Sequence, residues 1–90
     1  MISYDDNKRQ INIKKHGIDL AECVSIFDHP MITKEDAREN YGEQRLLSLG
    51  LLNSVVVFMV WVDKVEHPHL ISVREATKHE QKYYFANIGY

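Results

Sequence analysis

One cysteine, two prolines and four glycines in 90 residues leave several classes of protein without the residues they need. A lone Cys23 excludes an intrachain disulfide and any cysteine-rich zinc site. Glycine is too sparse for a phosphate-cradling loop, and neither a repeat nor a Pro/Gly-rich linker divides the chain, so residues 1–90 read as one domain. The longest apolar run, Val55 to Val62, is too short to span a bilayer as a helix. The start, Met1-Ile2-Ser3-Tyr4-Asp5-Asp6, turns acidic where a signal peptide needs an apolar stretch, so the expectation is a cytoplasmic protein with no membrane contact. An excess of positive charge is also missing: the net charge is −2 with histidine neutral. Composition therefore lends no support to nucleic-acid binding, and any such role has to rest on where the cations sit.

What is present is a globular composition, 44% hydrophobic, which argues against disorder. A chain this short buries a modest share of its surface and gains from a partner. Ile2 to Tyr4 reads as a short strand. Asp6 or Asn7 caps a first helix that runs to about His16, where Gly17 offers the left-handed stop. Asp19 with Glu22 predicts a capping box on a second helix, with Ile18 stapled to Cys23 and Leu20, Val24 and Phe27 facing the core, until Pro30 ends it. Met31 to Thr33 is a candidate short strand, and the polar stretch Lys34 to Gly42 has no clear signal. Glu43–Leu52 and Val55–Val62 flank Asn53-Ser54 as a hairpin, and His69–Val73 supplies the third strand of a meander after the turn Asp63–Pro68. Thr77 with Glu80 predicts a capping box on a closing helix that carries Tyr83 and Tyr84. The sum is an α+β fold: an antiparallel sheet, three-strand meander plus N-terminal strand, covered on one face by two N-terminal helices and a C-terminal helix.

Few polar groups stand out. Lys14-Lys15-His16-Gly17 places two cations and an imidazole in the last turn of a helix, where they complement the dipole; a phosphate grip is the less economical reading. Strand alternation puts Glu43 and Arg45 on one face, as a pair or as a joint ligand site. Arg74 falls between the last strand and the Thr77 cap. There it either binds an anion beside a helix N-terminus or pairs with Glu75, Glu80 or Glu43, and the sequence leaves both open. His79 reads as a surface residue and His67-Pro68-His69 as a turn, since two histidines without a spaced third ligand do not make a metal site. Cys23 reads as core.

Read together, these segments resemble a known family. Tyr4-Asp5, Asn7-Lys8, Asn12, Lys15-His16-Gly17-Ile18, Ala21-Glu22, Val24 and Phe27-Asp28-His29-Pro30 are similar to the N-terminal signature of BrnT toxins. Asp36, Gly42-Glu43-Gln44-Arg45 and Leu49-Gly50 are similar to its middle, and Ile71-Ser72-Val73-Arg74-Glu75-Ala76-Thr77 with Glu80 and Tyr83 to its end. Each motif is short; their order and spacing over nearly the whole chain make the set specific. The resemblance implies a RelE-like fold and a ribonuclease that inhibits translation. It also implies neutralisation by a BrnA-like ribbon-helix-helix antitoxin, in a heterotetramer of two toxins and two antitoxins that represses its own operator DNA. It implies RNA as substrate, cleaved without metal or cofactor by attack of the 2′-hydroxyl on the adjacent phosphate. Carried over by motif, Arg74 and Arg45 bind phosphate, Glu43 or His16 handles the proton, and Lys15, Lys64 and Lys78 assist substrate binding.

The chain departs from the family pattern at Trp61, Val62, Asp63 and Lys64, where Tyr-Thr-x-Arg is common, and the Gly-Arg usual before Val55 is absent. Lysine cannot fork two oxygens as arginine does. Weakened cleavage is the expected consequence. The second reading is accordingly a non-catalytic subunit that corepresses with its antitoxin, and the third a small-anion binding domain.

Overall fold

A computed structural model describes residues 1–38 and 42–88. The apolar run Val55–Asp63 forms β4, the middle strand of the sheet, and its alternation sets the architecture. Val57, Met59 and Trp61 enter one core; Val56 and Phe58 enter another on the opposite face. Strand β3 (Leu46–Leu52) joins β4 through Asn53 and Ser54, whose φ values of 50° and 69° make the left-handed pair of a two-residue hairpin turn. Strand β5 (Pro68–Glu75) runs antiparallel to β4 on its other side, and β2 (Ile32–Glu35) runs antiparallel to β3 at the outer edge. Strand β1 (Ser3–Tyr4) lies parallel to β5, so the order is β1-β5-β4-β3-β2. The expected meander is present and the candidate strand at Met31–Thr33 appears as β2, shifted to Ile32–Glu35, but the sheet is mixed rather than antiparallel.

Helix α1 (Asp6–His16) runs beside β5, and two short 3-10 helices, Leu20–Glu22 and Val24–Asp28, close over the first core. Helix α2 (Lys78–Asn87) covers part of the other face, packing Tyr84 on Leu49, Val56 and Ala76. Both faces are therefore covered, not one. Asp5, rather than Asp6 or Asn7, caps α1: its carboxylate accepts from the backbone N–H groups of Asn7 and Lys8 at 2.8 and 3.3 Å. The predicted second helix is replaced by the two 3-10 helices. Asp19 caps only Ala21, and Glu22 does not return a bond as a capping box would. Val24-Ser25-Ile26-Phe27-Asp28 is a run of weak helix formers. The buried residues are Leu20, Cys23 and Ile26, spaced by three as the tighter helix requires, while Val24 is 46% exposed. Burial pushes the Cys23 thiol up to about 11, in keeping with a core residue. Strand β3 starts at Leu46, so Glu43 to Arg45 precede it, and β5 extends to Glu75, so Arg74 lies within a strand rather than at its end. Residues 39–41 of the polar stretch after β2 lie outside the described residues. No described helix is long and apolar enough to cross a membrane.

One buried polar side chain joins helix to sheet. Asn12 is 2% exposed, and its Nδ2 donates to the carbonyls of Val73 at 2.9 Å and Ile18 at 2.8 Å. Its Oδ1 accepts from Val73 N–H at 3.0 Å. Strand β1 pairs only with His69 and Leu70, so the Asn12 amide takes the place of a strand residue farther along that edge. Removing it leaves two buried backbone groups unmatched. Asn12→Ala is expected to cost about 2–6 kcal/mol, at 1–3 kcal/mol for each stranded group. Urea unfolding measures this, and a midpoint equal to the parent's contradicts the role given to Asn12.

Candidate nucleic-acid site

Helix α1 ends at Gly17 (φ 71°), whose N–H bonds to the Ile13 carbonyl at 2.8 Å. This stop fixes Lys15 and His16 at the end of a helix that Asn12 anchors to β5. Lys8, Ile11, Asn12 and Lys15 form one helical stripe and, with His16, line a cleft of about 260 Å³ against Ile71 and Ser72. His16 is held below the ordinary imidazole value of 6.5, first by burial and then by the positive charges of Lys15 and Arg74. It is therefore neutral at pH 7 and able to accept a proton, with two cations within range of its charge.

Arg74 is held on two sides. Its Nη1 donates to Glu80 Oε1 at 2.8 Å and to the Glu75 carbonyl at 3.2 Å, and its Nη2 donates to Glu80 Oε2 at 3.0 Å. The guanidinium carbon stands 4.4 Å from the centre of the Phe58 ring, its cross-strand neighbour. Of the alternatives the sequence leaves open, Glu80 is the partner. The contact is not closed, because the side chain is 35% exposed. The edge formed by Nε–H and the second Nη2 N–H has no partner among the described residues. A guanidinium fixed on one edge and one face, with its other fork open, is pre-organised for two anionic oxygens. The Arg74 hydrogen bonds, supported by the Thr77 backbone N–H at 2.8 Å, pull the Glu80 carboxyl from 4.5 down to about 2.

The remaining predicted residues lie elsewhere. Arg45 Nε is 3.9 Å from Glu43 Oε1, just before β3. Lys64 follows β4 and is exposed. Glu43 and Lys64 both act on His69, whose Nδ1 is 2.8 Å from Ser3 Oγ across the β1–β5 pair. Burial and Lys64 hold His69 below 6.5, with Glu43 and Asp5 acting in the opposite direction. His69 pairs with Val62 and Arg74 with Phe58, four residues apart on β4 or about 13 Å. Arg74, Lys15 and His16 thus gather at one end of the site, and Glu43, Arg45 and Lys64 at the other. Lys78 is exposed at the start of α2.

A further opening of about 390 Å³ lies between α2 and the outer strands, with Leu47, Leu49, Phe58, Tyr83 and Glu80 among its lining residues.

A model of the BrnT family, the ribonuclease toxins of type II toxin-antitoxin systems, matches residues 4–80. The chain belongs to the BrnT family. Among solved structures, it is similar to the Brucella abortus ribonuclease toxin BrnT, with a TM-score of 0.65 and 28% identity over 86% of this chain and 96% of that one. No curated protein matches it. The BrnT relation and the mixed α+β sheet with flanking helices are thereby consistent with each other.

Two groups to which the sequence reading gives no site role enter the site. Lys8 joins through the helical stripe, a signal readable once α1 is drawn as a wheel. His69 enters because the parallel β1–β5 pair sets it against Ser3. Glu80, one of the partners the sequence offers for Arg74, holds it as well as capping α2, and only the fold selects it. Because its folded value lies below the ordinary one, Glu80 stabilises the protein fully above about pH 4.5, and the contribution disappears as pH falls through about 2. Asp19, drawn to about 2 by Arg9, adds a second contribution lost over nearly the same window. Glu80→Gln should therefore show a smaller loss of stability between pH 7 and pH 3 than the parent, measured by urea midpoints. Equal losses in the two proteins contradict the ion pair.

Proposed function

We propose that this chain, as one toxin domain with a RelE-like fold, cleaves RNA by attack of a ribose 2′-hydroxyl on the adjacent phosphorus, without metal. The 2′-O–P bond forms as the P–O5′ bond breaks, leaving a 2′,3′-cyclic phosphate and, once water protonates the departing oxygen, a 5′-hydroxyl. Arg74 binds the phosphoryl oxygens through its open fork. His16, neutral at pH 7 and within range of that charge, takes the 2′ proton, and Lys15 with Lys8 holds the approaching backbone. Glu43, Arg45 and Lys64 contact a neighbouring stretch of the strand about 13 Å along the sheet, and Lys78 adds charge near α2. His16 is preferred to Glu43 as base because Glu43 lies beside Arg45 and His69, away from Arg74. The observation that carries this reading is the Arg74 guanidinium, clamped by Glu80 and Phe58 with one donor edge open.

Membership of a type II toxin family supports a protein antitoxin as partner. The reading adds that cleavage inhibits translation, that the antitoxin is a BrnA-like ribbon-helix-helix protein in a heterotetramer of two toxins and two antitoxins, that operator DNA is contacted through the antitoxin, and that the chain acts in the cytoplasm. The non-catalytic corepressor remains the alternative, favoured by Lys64 at a position where the family pattern has arginine.

Purified protein should cut RNA, and addition of antitoxin should stop it. Arg74→Ala is expected to lower kcat/KM by about 100- to 1,000-fold, the usual loss for a donor aimed at developing phosphoryl charge. RNA cut equally by parent and variant rules out the assigned role; RNA left intact by a parent protein that still binds antitoxin supports the corepressor. The pH profile of kcat/KM should rise with a midpoint below 6.5, and His16→Ala should remove that limb. A profile with the same limb in His16→Ala moves the base elsewhere. Lys64→Arg should raise kcat/KM several-fold by restoring a fork.

A further inference from the structure

The 390 Å³ groove beside α2 is not used by the chemistry above, yet it opens next to Arg74. Phe58 joins the two: its ring stands 4.4 Å from the guanidinium carbon, and the same residue lines the groove with Leu47 and Leu49. Ile32 lies on the β2 side of the groove. Tyr83, three residues after Glu80 and so on the same side of α2, is 52% exposed. The lining is mainly aromatic and aliphatic, with Thr33, Ser48 and His79 adding polar groups, and the cations lie on opposite sides: Arg74 by Phe58, and Lys34 on β2. Glu80 also lines the groove, but its Oε1 accepts from Arg74 and the Thr77 N–H, and its Oε2 from Arg74, so its charge is matched.

A ligand suited to this groove has a flat apolar body and negative charge toward either end. A nucleotide inside an RNA chain has that form, with a base between two phosphates, and about 300–1,000 Å³ is the usual size of a cleft for such a unit. We infer that the groove is a nucleobase subsite, in which one base of the RNA stacks on Tyr83 above the Leu47–Leu49–Phe58 floor while its phosphate meets Arg74. The inference rests on the ribonuclease reading for its substrate class and adds to it the part of the site that selects a base. Every base has a π face, so stacking gives affinity, and the walls of the groove give preference.

Binding and cleavage test it separately. Nitrogen-15-labelled protein is titrated with the four nucleoside 5′-monophosphates and, in parallel, with inorganic phosphate. Amide shifts at Leu47, Leu49 and Tyr83 are expected with the monophosphates alone, at least one base giving larger shifts than the others. They should be lost in Tyr83→Ala and kept in Tyr83→Phe; Tyr83 is half exposed, and a thermal melt verifies that both variants fold. In cleavage, Tyr83→Ala should lower kcat/KM by about 10- to 100-fold, mainly through KM, and even out the base preference. Monophosphate shifts in a protein that cuts no RNA support the subsite and reject the ribonuclease. RNA cleavage with shifts no larger than those from phosphate rejects the subsite and keeps the ribonuclease. Shifts at these amides from antitoxin but from no nucleotide make the groove a protein contact and also overturn the inference.

Discussion

The bidentate contact between the Asn12 amide and the backbone of Val73 is the constraint on which the rest of the molecule depends. Strand β5 has a neighbour along only two residues of its outer edge, and a helix cannot pair with a strand through its own backbone. An amide side chain can, because it offers one donor and one acceptor at nearly the spacing of a peptide group. Through it α1 is set against β5 at one register, one helical turn before His16. The cationic end of the helix is therefore positioned against β5 by an uncharged contact, while the Arg9–Asp19 ion pair ties α1 to the turn that follows it.

This arrangement also accounts for the low net charge. All four arginines lie within 4.0 Å of a carboxylate: Arg9 by Asp19, Arg38 by Asp36, Arg45 by Glu43 and Arg74 by Glu80. Their acidic partners balance them in the total while fixing their geometry. The positive field near the cleft comes from Lys8 and Lys15, which line it. A bulk charge of −2 and a locally basic cleft are thus compatible, and composition is a poor guide because matched pairs cancel in it.

The sequence carried the elements whose signals are local. The Asn53-Ser54 turn, the Gly17 stop, the Thr77–Glu80 capping box and the apolar run of β4 all depend on neighbours within a few residues, and all are where the pattern puts them. The failures have a different origin. Leu20, Cys23 and Ile26 repeat every three residues, and a reading tuned to 3.6 keeps Leu20 and Phe27, which packs on that core, but picks the exposed Val24 and misses Ile26. The parallel β1–β5 pair joins residues 66 apart, which no local pattern reports. For the site, motif resemblance brought forward Lys15, His16 and Arg74, and the fold brings these near one another. The same resemblance set Glu43, Arg45 and Lys64 beside them; strand register separates that group by the length of several residues. The missing part was distance, which depends on how strands pair.

Glu80 performs two local tasks with one carboxylate. It returns a bond to the Thr77 N–H, completing the cap of α2, and it grips the guanidinium of Arg74. The first turn of the helix cannot fray without releasing the arginine, and the arginine cannot swing away without weakening the helix start. Order in the closing helix and order in the Arg74 side chain are consequently coupled through Glu80. A change at the first turn of α2 reaches the guanidinium across a distance of only one side chain.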